Sequence, residues 1–203
     1  MHKEILTKEQ IELLPLVRLF SDDFGLVGGT AIALHLGHRR SINFDLFTQK
    51  EFDNPKVRRK ISRLEKVDQI LRDETGQFTL AIRGVRFTFF QYPFSINYFE
   101  QFDDVCRLPD LLTLAAMKVF ALGQRAKWKD YVDLYFIMKT HHGLAPIAEK
   151  AKQVFSAEFN ERIIREQLAY FDDINYSEEI EYLPGYEVDD KLVKNELVKF
   201  SLA

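Results

Sequence analysis

The spacing of apolar positions divides the chain into elements. Over 7–20, apolar residues recur at Ile11, Leu13, Leu14, Leu16, Val17 and Phe20 behind a capping Thr7, which predicts an amphipathic helix. A short apolar run over 24–27 predicts a strand that stops at Gly28-Gly29. A helix over 30–36 follows, ended by Gly37. Residues 43–48 alternate polar and apolar, so a strand is expected there, then a helix over 55–64 that opens on Pro55. The period then becomes two across 67–72, 77–82 and 85–92, with turns at Thr75-Gly76 and Arg83-Gly84. That pattern is a three-stranded meander. From residue 109 the period is helical, with helices expected over 109–124, 128–140, 144–155 and 161–171 and a last one near 190–200.

This order predicts an α+β front half, 1–105, and an all-helical back half, 106–203, with a ligand cleft between them. Composition narrows the setting. In 203 residues the apolar fraction is 46%, enough for a substantial core, and the net charge of −3 provides no global field for nucleic acid. A nucleic-acid contact would need a local patch. Cys106 is the single cysteine, so no internal disulfide can form. The charged, interrupted N-terminus does not read as a signal peptide, and no run reaches the ~20 apolar residues of a membrane span. A soluble cytoplasmic protein is the expectation.

The chemistry concentrates between residues 28 and 45. Gly28 and Gly29 permit a tight turn and a close backbone approach before a helix whose first N–H groups lack partners. With the Thr30 hydroxyl, that arrangement suits phosphate, though an ordinary strand-to-helix turn uses glycine as well. Asn43 and Asp45, two apart on a strand, share one face, and Phe44 and Leu46 point to the other. Side-chain oxygens beside a phosphate-binding helix end fit a Mg²⁺–nucleotide.

Further along, Lys118 is flanked at helical spacing by Leu114, Ala115, Ala121 and Leu122, so it must pair, snorkel or meet an anion. Arg125 is expected two turns on along the same face. Lys129 and Asp133 form an i,i+4 pair, and Asp130 and Asp133 share a face. A structural bridge from Lys118 and Arg125 to these carboxylates competes with ligand contact. Lys56, Arg58, Arg59, Lys60, Arg63 and Lys66 make a basic helix that suits either an RNA backbone or a solvated surface. The acidic run Asp172, Asp173, Glu178, Glu179 and Glu181 reads as a partner contact or a solvating tail. His35 and His38 lack further metal ligands and are assigned a surface or phosphate-side role.

Gly28-Gly29-Thr30-Ala31, His38-Arg39-Arg40 and Ser41-x-Asn43-x-Asp45-Leu46-Phe47 together resemble the AbiEii/AbiGii toxin family of the DNA polymerase beta-like nucleotidyltransferase superfamily. Leu114-Ala-Ala-Met-Lys118, Arg125 and Trp128-Lys129-Asp130-Tyr-Val-Asp133-Leu resemble the family's later motifs. The resemblance implies a nucleotidyltransferase-like mixed sheet with flanking helices and a C-terminal helical bundle. It implies a nucleoside triphosphate as substrate, with phosphates on Gly28, Gly29, Thr30, Arg40 and Ser41. Mg²⁺ or Mn²⁺ would lie at Asp45 and Asn43, and Lys118 and Arg125 would assist from the helical half. Lys129, Asp130 and Asp133 would support the site. An RNA or protein hydroxyl would accept the nucleotidyl group, and an antitoxin would pair with the protein. Two departures stand out. Asn43 replaces the first aspartate of Asp-x-Asp, and the later strand over 85–92 has no carboxylate. The alternative is therefore a module of the same fold that binds nucleotide, RNA or antitoxin without catalysing transfer.

Overall fold

The computed structural model describes residues 1–203. Where one helix was expected over 7–20 there are two, α1 (Lys8–Glu12) and α2 (Leu14–Arg18). Pro15 sits in the first turn of α2, where its missing N–H is tolerated, and it prevents a continuous ladder. Thr7 and Gln10 form a reciprocal capping box that starts α1. Strand β1 (Gly25–Val27) leads into α3 (Gly28–Leu36), which begins two residues earlier than expected and ends at Gly37 with φ +70°. Strand β2 (Asn43–Thr48) has the expected bounds, and α4 (Asn54–Ile61) is capped by Asp53.

The meander comprises β3 (Gln69–Glu74), β4 (Gln77–Ile82) and β5 (Val85–Gln91). A hairpin not anticipated from the sequence, β6 (Glu100–Phe102) and β7 (Cys106–Leu108), leads to the helical half. That half contains α5 (Leu111–Leu122), α6 (Trp128–Thr140), α7 (Leu144–Phe155), α8 (Glu161–Ala169) and α9 (Asp190–Leu202).

The main sheet has five strands in the order β1-β2-β5-β4-β3. Only β2 and β5 run parallel, so the meander folds back to place its last strand beside β2. Alternation then separates the two faces. Phe44, Leu46, Phe78, Leu80, Phe87 and Phe89 are fully buried on one face, where Phe20 and Phe24 meet Phe89 edge-on. The opposite face carries Asn43, Asp45 and Phe47 on β2 and Arg86, Thr88 and Phe90 on β5, all only partly buried. The buried apolar side chains form one continuous cluster from Ile5 to Leu197, joining both halves. α3 is apolar on nearly every side because it lies inside this cluster, against β2, α5 and α6. Packing on all sides fixes its N-terminal end beside the polar sheet face.

Candidate functional site

The polar face of the sheet is the floor of an open cleft of about 730 Å³. Its walls are the N-terminus of α3, the inner side of α5, the α5–α6 loop and the start of α6. The cleft thus lies between the front and back halves of the chain.

Its glycine end is built from backbone. Gly28 adopts φ +73°, a left-handed conformation, and a Cβ there would strike Asp45 Oδ2. A Cβ on Gly29 would lie 2.7 Å from Arg39 Nη2 and 3.3 Å from Ser41 Oγ. Glycine is therefore required at Gly28 on both counts, and Gly29 has no room for a larger residue without displacing Arg39. No side chain caps α3, so the unpaired N–H groups and positive dipole end of its first turn face the cleft. Thr30 is not part of this surface. Its hydroxyl is buried and donates to the Ser41 and Asn43 carbonyls, tying the helix to the approach of β2.

Strand register places the floor residues in rows. Asn43 lies beside Arg86, Asp45 beside Thr88, and Phe47 beside Phe90. Thr88 in turn pairs with Thr79. The neighbour of Asp45 on β5, where a further carboxylate would complete an acidic cluster, is thus a threonine. Burial pushes the Asp45 carboxyl above its usual range against the pull of Arg86, Lys118, Lys129 and Arg125. Arg72, Arg86, Lys118, Arg125, Lys127 and Lys129 line the cleft against only Asp45 and Asp130. Glu74, Asp133 and Glu178 pair with Arg72, Lys118, Lys127 and Lys129 from beside the lining, and Arg86 carries no ion pair, so the lining keeps a cationic bias suited to an anionic ligand.

Across from the floor is a buried ionic cluster. Asp133, fully buried, accepts from Arg39 Nε at 2.7 Å and Nη2 at 2.8 Å, and from His38 Nε2 at 2.8 Å. Lys118 Nζ lies 3.0 Å from Asp133 Oδ2 and donates to Asp130 Oδ1 at 2.7 Å. Burial alone would lift the Asp133 carboxyl, but Arg39, Lys118 and His38 hold it well below the ordinary range. Burial also disfavours the charge on Lys118, and Asp130 and Asp133 reverse this, raising its pKa. Asp130 keeps Oδ2 without a hydrogen bond, 3.5 Å from Arg125 Nε, and lines the cleft.

The site therefore brings together Gly28, Gly29, Ser41, Asn43, Asp45, Lys118, Arg125, Lys129 and Asp130. Other expectations are corrected. Arg40 lies away from the cleft, with Nε on Glu181 at 2.6 Å and Nη1 on the Glu4 carbonyl at 3.2 Å. Arg39 is the arginine that points inward. Arg125 does not continue the Lys118 face, because α5 stops at Leu122; it reaches the cleft from the loop, more than half exposed. Lys129 pairs with Glu178 rather than Asp133, whose carboxylate is already taken. His38 is fully buried under Asp133 and has no surface or phosphate-side role, and His35 meets the Pro109 carbonyl at 3.1 Å. Within the acidic run Glu178 clamps Lys127 and Lys129 and Glu181 binds Arg40, while Asp172, Asp173 and Glu179 are exposed.

A family model described as "Nucleotidyl transferase AbiEii toxin, Type IV TA system" matches residues 95–193. Uncharacterized protein aq_aa25 of Aquifex aeolicus strain VF5 is 30% identical over 201 residues, covering 96% of this chain and 97% of that protein. The chain belongs to the AbiEii nucleotidyl transferase toxin family. Solved structures share the family fold across most of the molecule. MenT4, a nucleotidyltransferase toxin from Mycobacterium tuberculosis H37Rv, superposes with a TM-score of 0.59 at 13% identity, covering 94% of this chain and 80% of that one. JHP933 from Helicobacter pylori gives 0.57 at 16% identity, covering 97% and 92%. The fold they share with this chain is a mixed sheet with flanking helices. No helix of this chain is long and apolar enough to cross a membrane.

Proposed function

We propose that this AbiEii-family chain moves a nucleoside monophosphate from a nucleoside triphosphate to a hydroxyl of RNA or protein, as a toxin whose cognate antitoxin would restrain it. The observation that carries the reading is Asp45 on the floor of a cationic cleft, between the uncapped N-terminus of α3 and the Lys118–Asp130 pair. The triphosphate lies with its phosphates on the Gly28–Gly29 turn and Ser41. Lys118 has three donors, two of them directed at Asp130 and Asp133, which leaves one for a phosphate oxygen. Arg125 supplies a guanidinium from the loop.

The donor set fits one Mg²⁺ brought in with the nucleotide. Asp45 would hold it through a carboxylate and Asn43 through a carbonyl oxygen. For a second ion the floor offers no further carboxylate, since Thr88 stands beside Asp45 on β5. Bound there, Mg²⁺ would supply positive charge to the phosphates. The acceptor oxygen bonds to the α-phosphorus, the bond to the bridging oxygen breaks, and pyrophosphate leaves with its electron pair. Asp130, whose Oδ2 makes no hydrogen bond and lies 3.5 Å from Arg125 Nε, takes the hydroxyl proton. Asp133 does no such work, since Arg39, His38 and Lys118 occupy it.

Asn43, and Thr88 where an acid would complete the site, favour a second reading, a nucleotide-binding module without transfer. Asn43→Asp separates the two. An aspartate that creates a transfer activity absent from the native chain supports the binding module. A native chain that transfers, with Asn43→Asp changing the rate little, supports the enzyme.

A further inference from the structure

The cleft is divided along its length. At one end are the glycine turn, Ser41, Asp45 and the cations. At the other, Phe47, Phe90, Tyr92 and Phe120 form an aromatic wall. The register fixes their order. Phe47 and Phe90 make one row with Gln77 on β4, and the adjacent row is Asp45, Thr88 and Thr79. Two residues along a strand advance about 6.6 Å. Because β1 runs antiparallel to β2, with Val27 opposite Asp45 and Gly25 opposite Phe47, the Gly28–Gly29 turn lies past Asp45 on the side away from Phe47. The sequence along the floor is therefore phosphate-binding turn, carboxylate, aromatic row.

We infer that the aromatic wall of Phe47, Phe90, Tyr92 and Phe120 is the nucleobase subsite of the cleft, stacking the base of a bound nucleoside triphosphate one ribose away from Asp45. The inference rests on the cleft being the nucleotide site proposed above. Three features carry it. The phenylalanines on the other face of the sheet, Phe44, Phe87, Phe89 and Phe78, are fully buried, whereas Phe47, Phe90, Tyr92 and Phe120 keep exposed surface toward the cleft. They are rigidly held. Phe47 packs on Phe90 and on Tyr92 at 5.1 Å between centroids, and Phe155 stacks on Phe120 at 4.0 Å and 10°. Phe94 links Tyr92 to Phe120, so the wall is continuous from sheet to helix. Finally, Gln77 at the end of the row offers an amide donor and acceptor to a base edge. Every base has a π-face, so such a wall holds any of them, and a flat apolar ligand end matches it where a phosphate does not.

The test compares Mg²⁺-bound nucleoside triphosphates with Mg²⁺-bound inorganic tripolyphosphate by calorimetry, in the native chain, in Phe90→Leu/Tyr92→Leu and in Tyr92→Phe. Leucine keeps apolar volume and removes the ring, and the melting temperature reports whether the double variant folds. The double variant should bind nucleotides about fivefold to a hundredfold more weakly. Its tripolyphosphate affinity should stay at the native value, and Tyr92→Phe should bind both as the native chain does. An unchanged nucleotide affinity in the double variant overturns the inference and assigns the wall to another occupant, such as an acceptor base. An equal loss for nucleotide and tripolyphosphate in a folded double variant overturns it as general damage to the cleft. A native chain that binds neither compound overturns the nucleotide-site reading itself, and the base subsite with it.

Discussion

Replacing Asp133 with asparagine should destabilise the protein more than any single change in the cleft. The side chain is fully buried and neutralises Arg39 and Lys118, whose own side chains are 5% and 6% exposed. Asparagine is nearly isosteric, so the packing remains, but two cations lose their shared partner and retain only Asp130 and more distant charges. Removing one partner of a buried pair costs about 3–5 kcal/mol, because the remaining charge is left desolvated. For a chain of this size each kcal/mol lowers Tm by about 2–4 °C, so the expected drop is about 6–20 °C. Thermal and urea unfolding measure it directly. Asp45→Asn is the matched control. Burial disfavours the Asp45 charge, so removing that charge should leave Tm unchanged or raise it. A drop of under 2 °C for Asp133→Asn would refute the reasoning, since the cluster's charges would then be solvated without Asp133.

Three further outcomes follow from the same geometry. Gly28→Ala should cost about 1–3 kcal/mol of stability from the left-handed backbone, and should abolish nucleotide binding because the new methyl displaces Asp45; unfolding and calorimetry read the two effects. Arg125→Ala should leave Tm unchanged, since the side chain is 55% exposed, and weaken triphosphate affinity about tenfold. Glu178, held down to about 2 by Lys127 and Lys129 despite partial burial, contributes stability above its ordinary 4.5 that is lost as pH falls through about 2. Over that acid window, Tm should fall less steeply in Glu178→Gln than in the native chain.

Much of the site was legible because strand alternation is unambiguous where one face is buried. Asn43, Phe44, Asp45 and Leu46 fall on the faces their pattern implies, and β2, β4, α6 and α7 have the expected bounds. The inward arginine was harder to identify. Arg39 and Arg40 are neighbours, and a shift of one residue in an extended segment reverses which points inward. Arg125 was misplaced because helical periodicity does not mark where a helix ends, and Gly123 stops α5 two residues earlier. β3 lies two residues later than its pattern suggested. It is an edge strand exposed along nearly its whole length and interrupted by an irregularity between Ile70 and Arg72, so no apolar alternation marks its bounds. The hairpin of β6 and β7 has three residues per strand, too few for periodicity to show. Lys118 pairs with Asp130, one of the alternatives in its sequence pattern, and lines the cleft.

Nucleotidyl transfer is tested most directly by following two labels. Native protein and Asp45→Ala are incubated with Mg²⁺, total cellular RNA and protein, and each nucleoside triphosphate labelled at either the α- or the γ-phosphate. The native chain should incorporate the α-label and not the γ-label, with pyrophosphate released, and Asp45→Ala should incorporate neither. Incorporation of the γ-label, equal α-label incorporation by both proteins, or none by the native chain would contradict nucleotidyl transfer in this cleft.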